Sequence, residues 1–248
     1  MLALTKGCYR VRTAQSDVDL KAAQRLRYIA FHPDTANPDQ ALDSDRFDAL
    51  CTHVLVEDMR SGQLVCCFRV LEFQNGGQIE SSYAAQFYEL SSLKRFSGRM
   101  IEIGRFCIHP DHSDPDILRL AWASLTRHVD AQGIEMLFGC SSFHGTDQAP
   151  YLDTFAMLRA SHLAPMHWRP KVKALDVFRF AARLRRRPDR RKALQVMPPL
   201  LRTYLLMGGW VSDHAVIDAQ LGTMHVFTGL EISAIPDARK KLLRAVSA

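Results

Sequence analysis

The 248-residue sequence lacks any long hydrophobic run, and its cysteines form no paired motif. No apolar run approaches the roughly 18 residues that span a bilayer, and the first residues lack the apolar core of a secretory signal. The six cysteines are scattered without a C-x-x-C pair, which argues against a zinc site and against a disulfide framework. We therefore expect a cytoplasmic protein with reduced thiols and no bound metal ion.

Several motifs that would identify a function at once are also missing. The sequence has no glycine-rich phosphate-binding fingerprint, no G-x-S-x-G nucleophile elbow and no H-E-x-x-H zinc motif. Its composition is 47% hydrophobic and 23% charged, which is typical of a globular protein with a sizeable core. Function must therefore be inferred from less familiar patterns.

Positive charge is concentrated in one segment. Residues 179–192 contain eight basic residues and one acid, Asp189, and so carry +7. Because the whole chain carries +6, the rest sums to −1. The basic character of the protein is therefore local, and we expect one basic surface.

Hydrophobic periodicity and end signals predict alternating strands and helices. The predicted strands are 8–13, 52–58, 63–71, 100–108, 136–140, 210–217 and 223–230. Helices are predicted from Ser16 or Asp17, from 82, from Pro115 to Gly133, from about 149 to 160, from 174 to 186, and from Pro198-Pro199 to Met207. This order predicts an α/β fold, with a mixed central sheet and helices on both faces.

The predicted strand 100–108 is the first candidate for chemistry, because it places Glu102 and Arg105 among apolar residues. A strict two-residue period sends these side chains to opposite faces, but Gly104 between them suggests a bulge that would bring them to one face. Buried charges are costly unless they are paired or functional. A structural ion pair that braces the sheet is the alternative interpretation.

The element order, with a bulged strand before the Pro115 helix, resembles the GNAT N-acyltransferase superfamily. The stretch 105–111 lacks the glycines with which that superfamily binds the pyrophosphate of coenzyme A, which favours a donor carried on acyl carrier protein. The type and spacing of seven residues are similar to the signature of acyl-homoserine-lactone synthases: Arg27, Phe31, Asp45, Asp48, Arg69, Glu102 and Arg105.

A resemblance to the ornithine lipid N-acyltransferases extends over nearly the whole chain. It is carried by residues 47–56, 82–88, 102–106, 137–147 and 198–209, including F-D-x-x-C-x-H-V-L-V, E-x-G-R-F and L-F-G-C-S-S-F-x-G-T-D. It implies a GNAT-like acyltransferase core over 1–165, a basic amphipathic insertion over 166–197, and a helix and strands over 198–248 that complete the same domain.

The resemblance also implies a reaction. A 3-hydroxyacyl group would pass from acyl carrier protein to the α-amine of ornithine, or of a related amino acid such as glutamine, and give a lyso-aminolipid. The donor would be acyl-phosphopantetheine on the carrier protein, with no cofactor bound to the chain itself. The alternatives are an acyl-homoserine-lactone synthase and a non-catalytic basic module that binds nucleic acid. We do not expect nucleic acid as a partner, because the charge is confined to one segment.

Roles follow for the predicted catalytic residues. Glu102 would accept a proton from the attacking amine, and backbone N–H groups between Gly104 and Phe106 would stabilise the oxyanion. Arg105 would assist at the same site, and His53 is either an auxiliary base or a core histidine.

The remaining candidates would bind substrate. Arg27, Arg69 and Arg105 would bind the amino acid's carboxylate, with Phe31 beside them. Asp45 and Asp48 would hold the substrate's cationic end or simply order their own loop. The last three candidates, Ser141, Ser142 and His144, would hydrogen-bond the pantetheine amides or form a turn after the strand.

The basic segment 171–192 has three possible roles: a solvated helix face, a docking surface for the acidic acyl carrier protein, or a contact with anionic lipid. Lipid binding would also use an apolar stripe of Val177, Phe178 and Phe180. Because the implied product is an amphiphile, we expect a peripheral protein at the inner face of the membrane.

Overall fold

Two units make up the part of the chain that the computed structural model describes, residues 3–32 and 41–247. The first unit combines residues 1–72, 103–134 and 237–248, and the second combines 73–102 and 135–236. One strand, Arg99–Ile108, begins in the second unit and continues into the first.

The elements are numbered along the chain. The strands are β1 (Leu4–Lys6), β2 (Tyr9–Thr13), β3 (Thr52–Asp58), β4 (Gln63–Phe73), β5 (Tyr88–Glu89), β6 (Arg99–Ile108), β7 (Ile134–His144), β8 (Lys171–Val172), β9 (Val177–Phe178), β10 (Trp210–Val211), β11 (Ala215–Asp218) and β12 (Thr223–Glu231). The helices are α1 (Asp17–Phe31), α2 (Pro115–Gln132), α3 (Leu152–Ser161), α4 (Phe180–Arg183), α5 (Arg190–Val196), α6 (Pro199–Leu206) and α7 (Asp237–Ser247).

In the first unit the strands follow the order β1-β2-β3-β4-β6. The pairings from β1 to β4 are antiparallel, and β3 and β4 form the predicted hairpin. Ser16 caps the start of helix α1 by accepting a hydrogen bond from the Asp19 N–H. At the other end of α1, the Phe31 side chain packs on a buried cluster that includes Leu26 and Cys67. This unit therefore places α1 against the strands that carry the candidate charges.

Helix α2 has the ends that the sequence predicts. Asp114 accepts a hydrogen bond from the Asp116 N–H, Pro115 occupies the first turn, and Gly133 ends the helix at φ 62°. Two elements of this unit were not predicted, β1 and α7. Helix α7 lies against α2, where Arg244 forms an ion pair with Asp130 at 2.9 Å.

In the second unit the strand order is β7-β12-β11-β9, with β10 also paired to β12 and a separate β5-β8 pair. The pairings of β12 with β7, β10 and β11 are antiparallel. One face of the β7-β12 ladder packs on α3, where Phe143 and Phe155 have ring centroids 4.9 Å apart. The helices predicted from 149 and from Pro198-Pro199 are present as α3, with a 3₁₀ turn before it, and α6.

The helix predicted over 174–186 is wrong. The structure has the short strand β9 there, followed by a single helical turn, α4. Phe178 and Phe180 are buried and pack on Phe155, with centroids 5.4 and 5.2 Å away. The apolar stripe therefore belongs to the core of this unit and offers no exposed face, since periodicity over so short a run cannot separate a surface helix from a buried strand and turn.

Strand β7 is also longer than predicted, since it runs to His144. Ser141, Ser142 and His144 therefore lie within the strand and do not form a turn after it. Of the helices within the described residues, none combines the length and apolar character that a bilayer-crossing segment requires. Those residues also contain no group of three or more His, Cys, Asp or Glu side chains placed to bind a metal ion.

Candidate active site

Six charged side chains come together in the first unit. We call them the Arg–Asp cluster: Arg27, Asp43, Asp45, Asp48, Arg69 and Arg105. Three guanidinium groups face three carboxylates, so the formal charges cancel and the buried ions are compensated. The sequence predicted five of the six. Asp43 was missed, although it opens the same acidic run as Asp45.

Arg27 joins helix α1 to the loop that carries the aspartates. Its Nε donates to Asp43 Oδ2 at 2.8 Å, its Nη1 donates to Asp48 Oδ1 at 2.8 Å, and its Nη2 donates to Asp48 Oδ2 at 3.0 Å. A further hydrogen bond runs to the Asp43 carbonyl, and the side chain is only 1% exposed. This geometry favours a loop-ordering role for Arg27.

Arg69 and Arg105 complete the cluster from strands β4 and β6. Arg69 donates to both carboxylate oxygens of Asp45 at 2.7 Å and to Asp48 at 2.6 Å. Arg105 donates to Asp43 at 2.9 Å and to Asp45 at 3.2 Å. Side-chain exposure is greatest for Asp45, at 22%, and among the arginines for Arg105, at 9%. These two groups form the more accessible edge of the cluster.

The cluster keeps two of its carboxylates, those of Asp45 and Asp48, ionised. Burial by itself raises the pKa of Asp48, but hydrogen bonds from Arg27 and Gln24 outweigh burial and hold that pKa well below its usual value. Burial likewise raises the pKa of Asp45, and Arg69 and Arg105 more than offset it, so that this pKa is also lowered. Both aspartates are therefore charged at neutral pH.

These lowered pKa values predict a loss of stability in acid. The ionised Asp48 stabilises the fold at pH values above its unfolded pKa of about 3.9, and that contribution disappears as the pH falls towards the lower folded pKa. We expect the free energy of unfolding, measured with urea, to fall steadily below about pH 4. Asp48→Asn should be less stable at pH 7 and should show a shallower pH dependence. Parallel curves for the two proteins would exclude this role for Asp48.

The backbone irregularity in β6 lies at Arg105 and not at Gly104. Arg105 has φ 51°, the only positive φ at a non-glycine residue within the described ranges. The left-handed region costs a residue with a Cβ atom roughly 1–2 kcal/mol, and such strain concentrates at functional sites. A Cβ atom at Gly104 would lie 3.5 Å from Arg69 Nε, an ordinary van der Waals distance, so neither sterics nor φ requires glycine at this position.

This conformation reverses the usual order of two substitutions. Arg105→Gly and Arg105→Ala lose the same ion pairs, but only glycine accepts the positive φ without strain. We expect Arg105→Gly to unfold at a higher urea concentration, with a free energy of unfolding about 1 kcal/mol above that of Arg105→Ala. In a regular strand the alanine variant would be more stable than the glycine variant. If Arg105→Ala proves more stable than Arg105→Gly, Arg105 is not strained.

His53 lies in β3 beside the cluster. Its Nε2 lies 3.0 Å from the carbonyl oxygen of Asp48, an acceptor, which assigns the proton to Nε2. Burial is the main cause that lowers the pKa of His53, so the ring is neutral at pH 7. These contacts favour a core histidine over an auxiliary base.

Glu102 lies in the second unit and is 4% exposed. Its Oε2 accepts a hydrogen bond from the Tyr83 N–H at 2.8 Å, and its Oε1 accepts one from the Ala84 N–H at 2.7 Å. Ser82 Oγ accepts from the next N–H, that of Ala85, at 3.1 Å. Both carboxylate oxygens therefore anchor the turn at residues 82–87, a contact that the sequence did not predict.

The three candidates in β7 have different environments. Ser141 is buried and accepts a hydrogen bond from the Thr228 hydroxyl at 2.9 Å, whereas Ser142 and His144 are exposed. Ser142 is paired with His225 of β12, so the two side chains share a face of the ladder. The sequence did not predict His225, since a single histidine in an apolar strand carries little signal.

Comparison with known proteins decides the family. The acetyltransferase (GNAT) domain model matches residues 26–123, which contain the Arg–Asp cluster and Glu102. The chain is 32% identical over 244 residues to the L-ornithine N(alpha)-acyltransferase of Rhodobacter capsulatus, covering 94% of this chain and 93% of the relative. It is also 32% identical to the Brucella abortus protein of the same name, covering 92% and 86%. This chain belongs to the L-ornithine N(alpha)-acyltransferase family.

Membership in the L-ornithine N(alpha)-acyltransferase family makes the protein an acyltransferase, and it confirms the resemblance based on the sequence motifs. The fold agrees. FeeM, an N-acyl amino acid synthase from uncultured soil microbes, superposes with a TM-score of 0.52 over 91% of this chain and 92% of its own, at 10% identity. The predicted GNAT-like class is therefore confirmed, and most of the strand pairing is antiparallel.

Proposed function

We propose that this protein transfers a 3-hydroxyacyl group from acyl carrier protein to the α-amine of L-ornithine. The observation that carries the proposal is the end-to-end similarity to proteins named L-ornithine N(alpha)-acyltransferase. In the reaction the amine nitrogen attacks the thioester carbon, an amide C–N bond forms and the C–S bond breaks. The amine loses a proton, and the carrier's phosphopantetheine leaves as a thiol.

Glu102 is the proposed proton acceptor. An ionised carboxylate is an acceptor of hydrogen bonds only, and its two backbone donors match that form. Each carboxylate oxygen can accept more than one hydrogen bond. A positioned base of this kind contributes about 10²–10⁴-fold to a rate. Donors to the oxyanion are proposed among the backbone N–H groups of Gly104 to Phe106, where the positive φ of Arg105 turns the backbone out of the extended conformation.

The amino acid substrate is assigned to the accessible edge of the Arg–Asp cluster. Arg105 offers a guanidinium to the ornithine carboxylate, and Asp45 offers a carboxylate to its side-chain ammonium. Arg27, Arg69 and Asp48 are more deeply buried and hold the loop that carries Asp45.

The start of helix α2 supports a carrier-bound donor. In the first unit, Asp114 caps helix α2 and also accepts a hydrogen bond from the Tyr9 hydroxyl at 2.9 Å. A carboxylate therefore occupies the helix end, which in other GNAT enzymes receives the pyrophosphate of coenzyme A, and it would repel those phosphates. Phosphopantetheine on a carrier protein has no adenine nucleotide to place there.

The basic surface is proposed to contact the anionic inner face of the membrane, where an amphiphilic product would leave. Most bases of 179–192 are exposed, although Arg186 pairs with Asp153. Phe178 and Phe180 are buried, but residues 166–197 still present exposed large apolar side chains: Met166, Leu175, Leu194 and Val196. Sedimentation with anionic and neutral vesicles tests this contact, and binding that survives replacement of Arg190 and Arg191 by glutamate would contradict it.

The direct test of the reaction uses purified protein, L-ornithine and carrier protein loaded with a 3-hydroxyacyl group. We expect release of the carrier thiol and one amide on the α-nitrogen, identified by fragmentation in mass spectrometry. Glutamine in place of ornithine tests the acceptor, and acyl-coenzyme A tests the donor. Acylation of neither amino acid by the folded protein would refute the proposal, and methylthioadenosine release from S-adenosylmethionine would indicate a lactone synthase.

A further inference from the structure

A buried aromatic cluster lies on one face of the β7-β12 ladder in the second unit. Tyr88 lies at its centre, and its ring centroid is 5.2 Å from that of His214, 5.6 Å from that of His225 and 5.7 Å from that of Phe227. The Tyr88 hydroxyl donates to the His225 carbonyl at 2.8 Å. The indole of Trp210 stacks on Phe227 at 5.9 Å. His214 therefore packs against the ring at the centre of this aromatic cluster.

His214 has a polar atom that this environment leaves unpaired. Its Nδ1 lies 2.7 Å from Asp213 Oδ1, and the hydrogen bond between them is the main cause that lowers the pKa of Asp213. The Asp213 carboxylate is therefore ionised, and it fixes the imidazole proton on Nδ1. Nε2 is then a bare acceptor, and it has no hydrogen-bond partner among the residues that the structure describes.

An acceptor in this position is costly. His214 is fully buried, and an unmade hydrogen bond in such a place costs about 1–3 kcal/mol. A ligand that satisfies Nε2 must bring an O–H or N–H donor to a fully buried nitrogen beside aromatic rings. Free ornithine is a poor match, because both its amines are charged at neutral pH. An apolar chain with one hydroxyl group fits these demands.

The cluster is continuous with the turn that Glu102 anchors. The Tyr83 ring packs on the Phe87 ring at 5.4 Å, and the Phe87 ring meets His225 edge-on at 4.9 Å. Tyr88, which follows Phe87 directly, contacts His214. Two ring contacts thus connect the backbone held by the proposed base to the cluster. In a 3-hydroxyacyl chain the hydroxyl oxygen is three bonds from the reacting carbonyl carbon, so we expect its receptor in the same unit as the proposed base.

We propose that His214 Nε2 accepts a hydrogen bond from the 3-hydroxyl of the acyl chain and so selects 3-hydroxyacyl donors over unsubstituted ones. The inference rests on the proposed function and adds the residue that determines donor specificity. Asp213 acts as a positioning residue, because it fixes the imidazole tautomer.

The test compares kcat/KM for two carrier-protein donors of equal chain length, one 3-hydroxylated and one unsubstituted, with ornithine as acceptor. We expect the natural protein to prefer the hydroxylated donor by about tenfold or more, which is the effect of one hydrogen bond. His214→Phe should bring the ratio close to one, through loss of rate on the hydroxylated donor alone. His214→Gln places an amide near the position of Nε2 and should retain part of the preference.

His128 supplies the matched control, since it is also a buried histidine paired with a carboxylate, Glu72 at 2.9 Å, but lies in the first unit. His128→Phe should leave the donor ratio unchanged. Activity with the unsubstituted donor shows whether each variant is folded. If His214→Phe does not fold, the ratio of kcat/KM for the two donors is measured with His214→Gln and Asp213→Ala.

Three outcomes would overturn the inference while leaving the proposed reaction intact. The first is that the natural protein acylates ornithine but does not prefer the hydroxylated donor. The second is that His214→Phe keeps the full preference, and the third is that His214→Phe lowers the rates with both donors equally. The last result would assign His214 to folding or to proton transfer. Failure of the natural protein to acylate ornithine from either donor would overturn both the inference and the proposed function.

Discussion

Replacing Glu102 by glutamine is expected to lower kcat/KM for ornithine acylation by at least about 100-fold, because the attacking amine then loses its proton acceptor. The structure adds a second effect. A glutamine has one acceptor oxygen, so either the Tyr83 or the Ala84 N–H would face an amide nitrogen. Loss of activity alone therefore does not separate a catalytic role from an anchoring role.

The pH dependence of the variant separates them. A general base is needed only while the ornithine α-amine is protonated, so the rate of Glu102→Gln relative to the natural protein should rise between pH 7 and 9. A purely structural defect would leave that ratio constant. Glu89→Gln is the matched control. Glu89 lies in the second unit, as Glu102 does, and its carboxylate also accepts a hydrogen bond from a backbone N–H, that of Ser91, at 2.7 Å. We expect it to keep nearly full activity. A folded Glu102→Gln with normal turnover would remove Glu102 from the mechanism.

Replacing Arg27 by methionine is expected to lower the free energy of unfolding by about 3–5 kcal/mol, as measured with urea. The change leaves Asp43 with Arg105 and Asp48 with Arg69, so that the three carboxylates of the cluster face only two guanidinium groups. An uncompensated buried charge is far more costly than a lost surface contact. Arg119→Met is the control, because Arg119 pairs with Asp116 on an exposed face of α2. It should have no measurable effect.

A double variant shows whether the cluster acts as a unit. Asp48→Asn removes one of the charges that Arg27→Met leaves uncompensated, so the two together should destabilise by less than the sum of the single changes. Strict additivity would mean that Arg27 contributes only through packing. The same variants should lose activity, because the loop that presents Asp45 depends on them.

The parts of the fold predicted from the sequence are those that local chemistry determines. A serine and an aspartate cap α1 and α2, and a glycine ends α2, because these residues satisfy helix-end groups that no later contact replaces. The β3-β4 hairpin follows from two apolar runs around a short turn. Phe178 and Phe180 are a contrasting example. Their spacing predicted a helix, but contact with Phe155 of α3, which is distant in sequence, buries both side chains in a short strand and turn.

The candidate site was predicted in part. The charged residues of the Arg–Asp cluster stand out in the sequence, but their pairing depends on which strands adjoin, so Asp43 was missed. A bulge was predicted at Gly104, while the structure has its positive φ at the next residue, Arg105. His214 gave no signal, because an unpaired buried nitrogen is visible only once its neighbours are in place.

The most direct test of the central claim is the lipid profile of a host that lacks aminolipids and expresses this chain. Mass spectrometry of the extracted lipids should show a new lipid with a single 3-hydroxyacyl chain in amide linkage to the α-nitrogen of ornithine, and the lipid should be absent from cells that express Glu102→Gln. A profile without any new aminolipid, from cells that contain the folded protein and a partner O-acyltransferase, would contradict the claim.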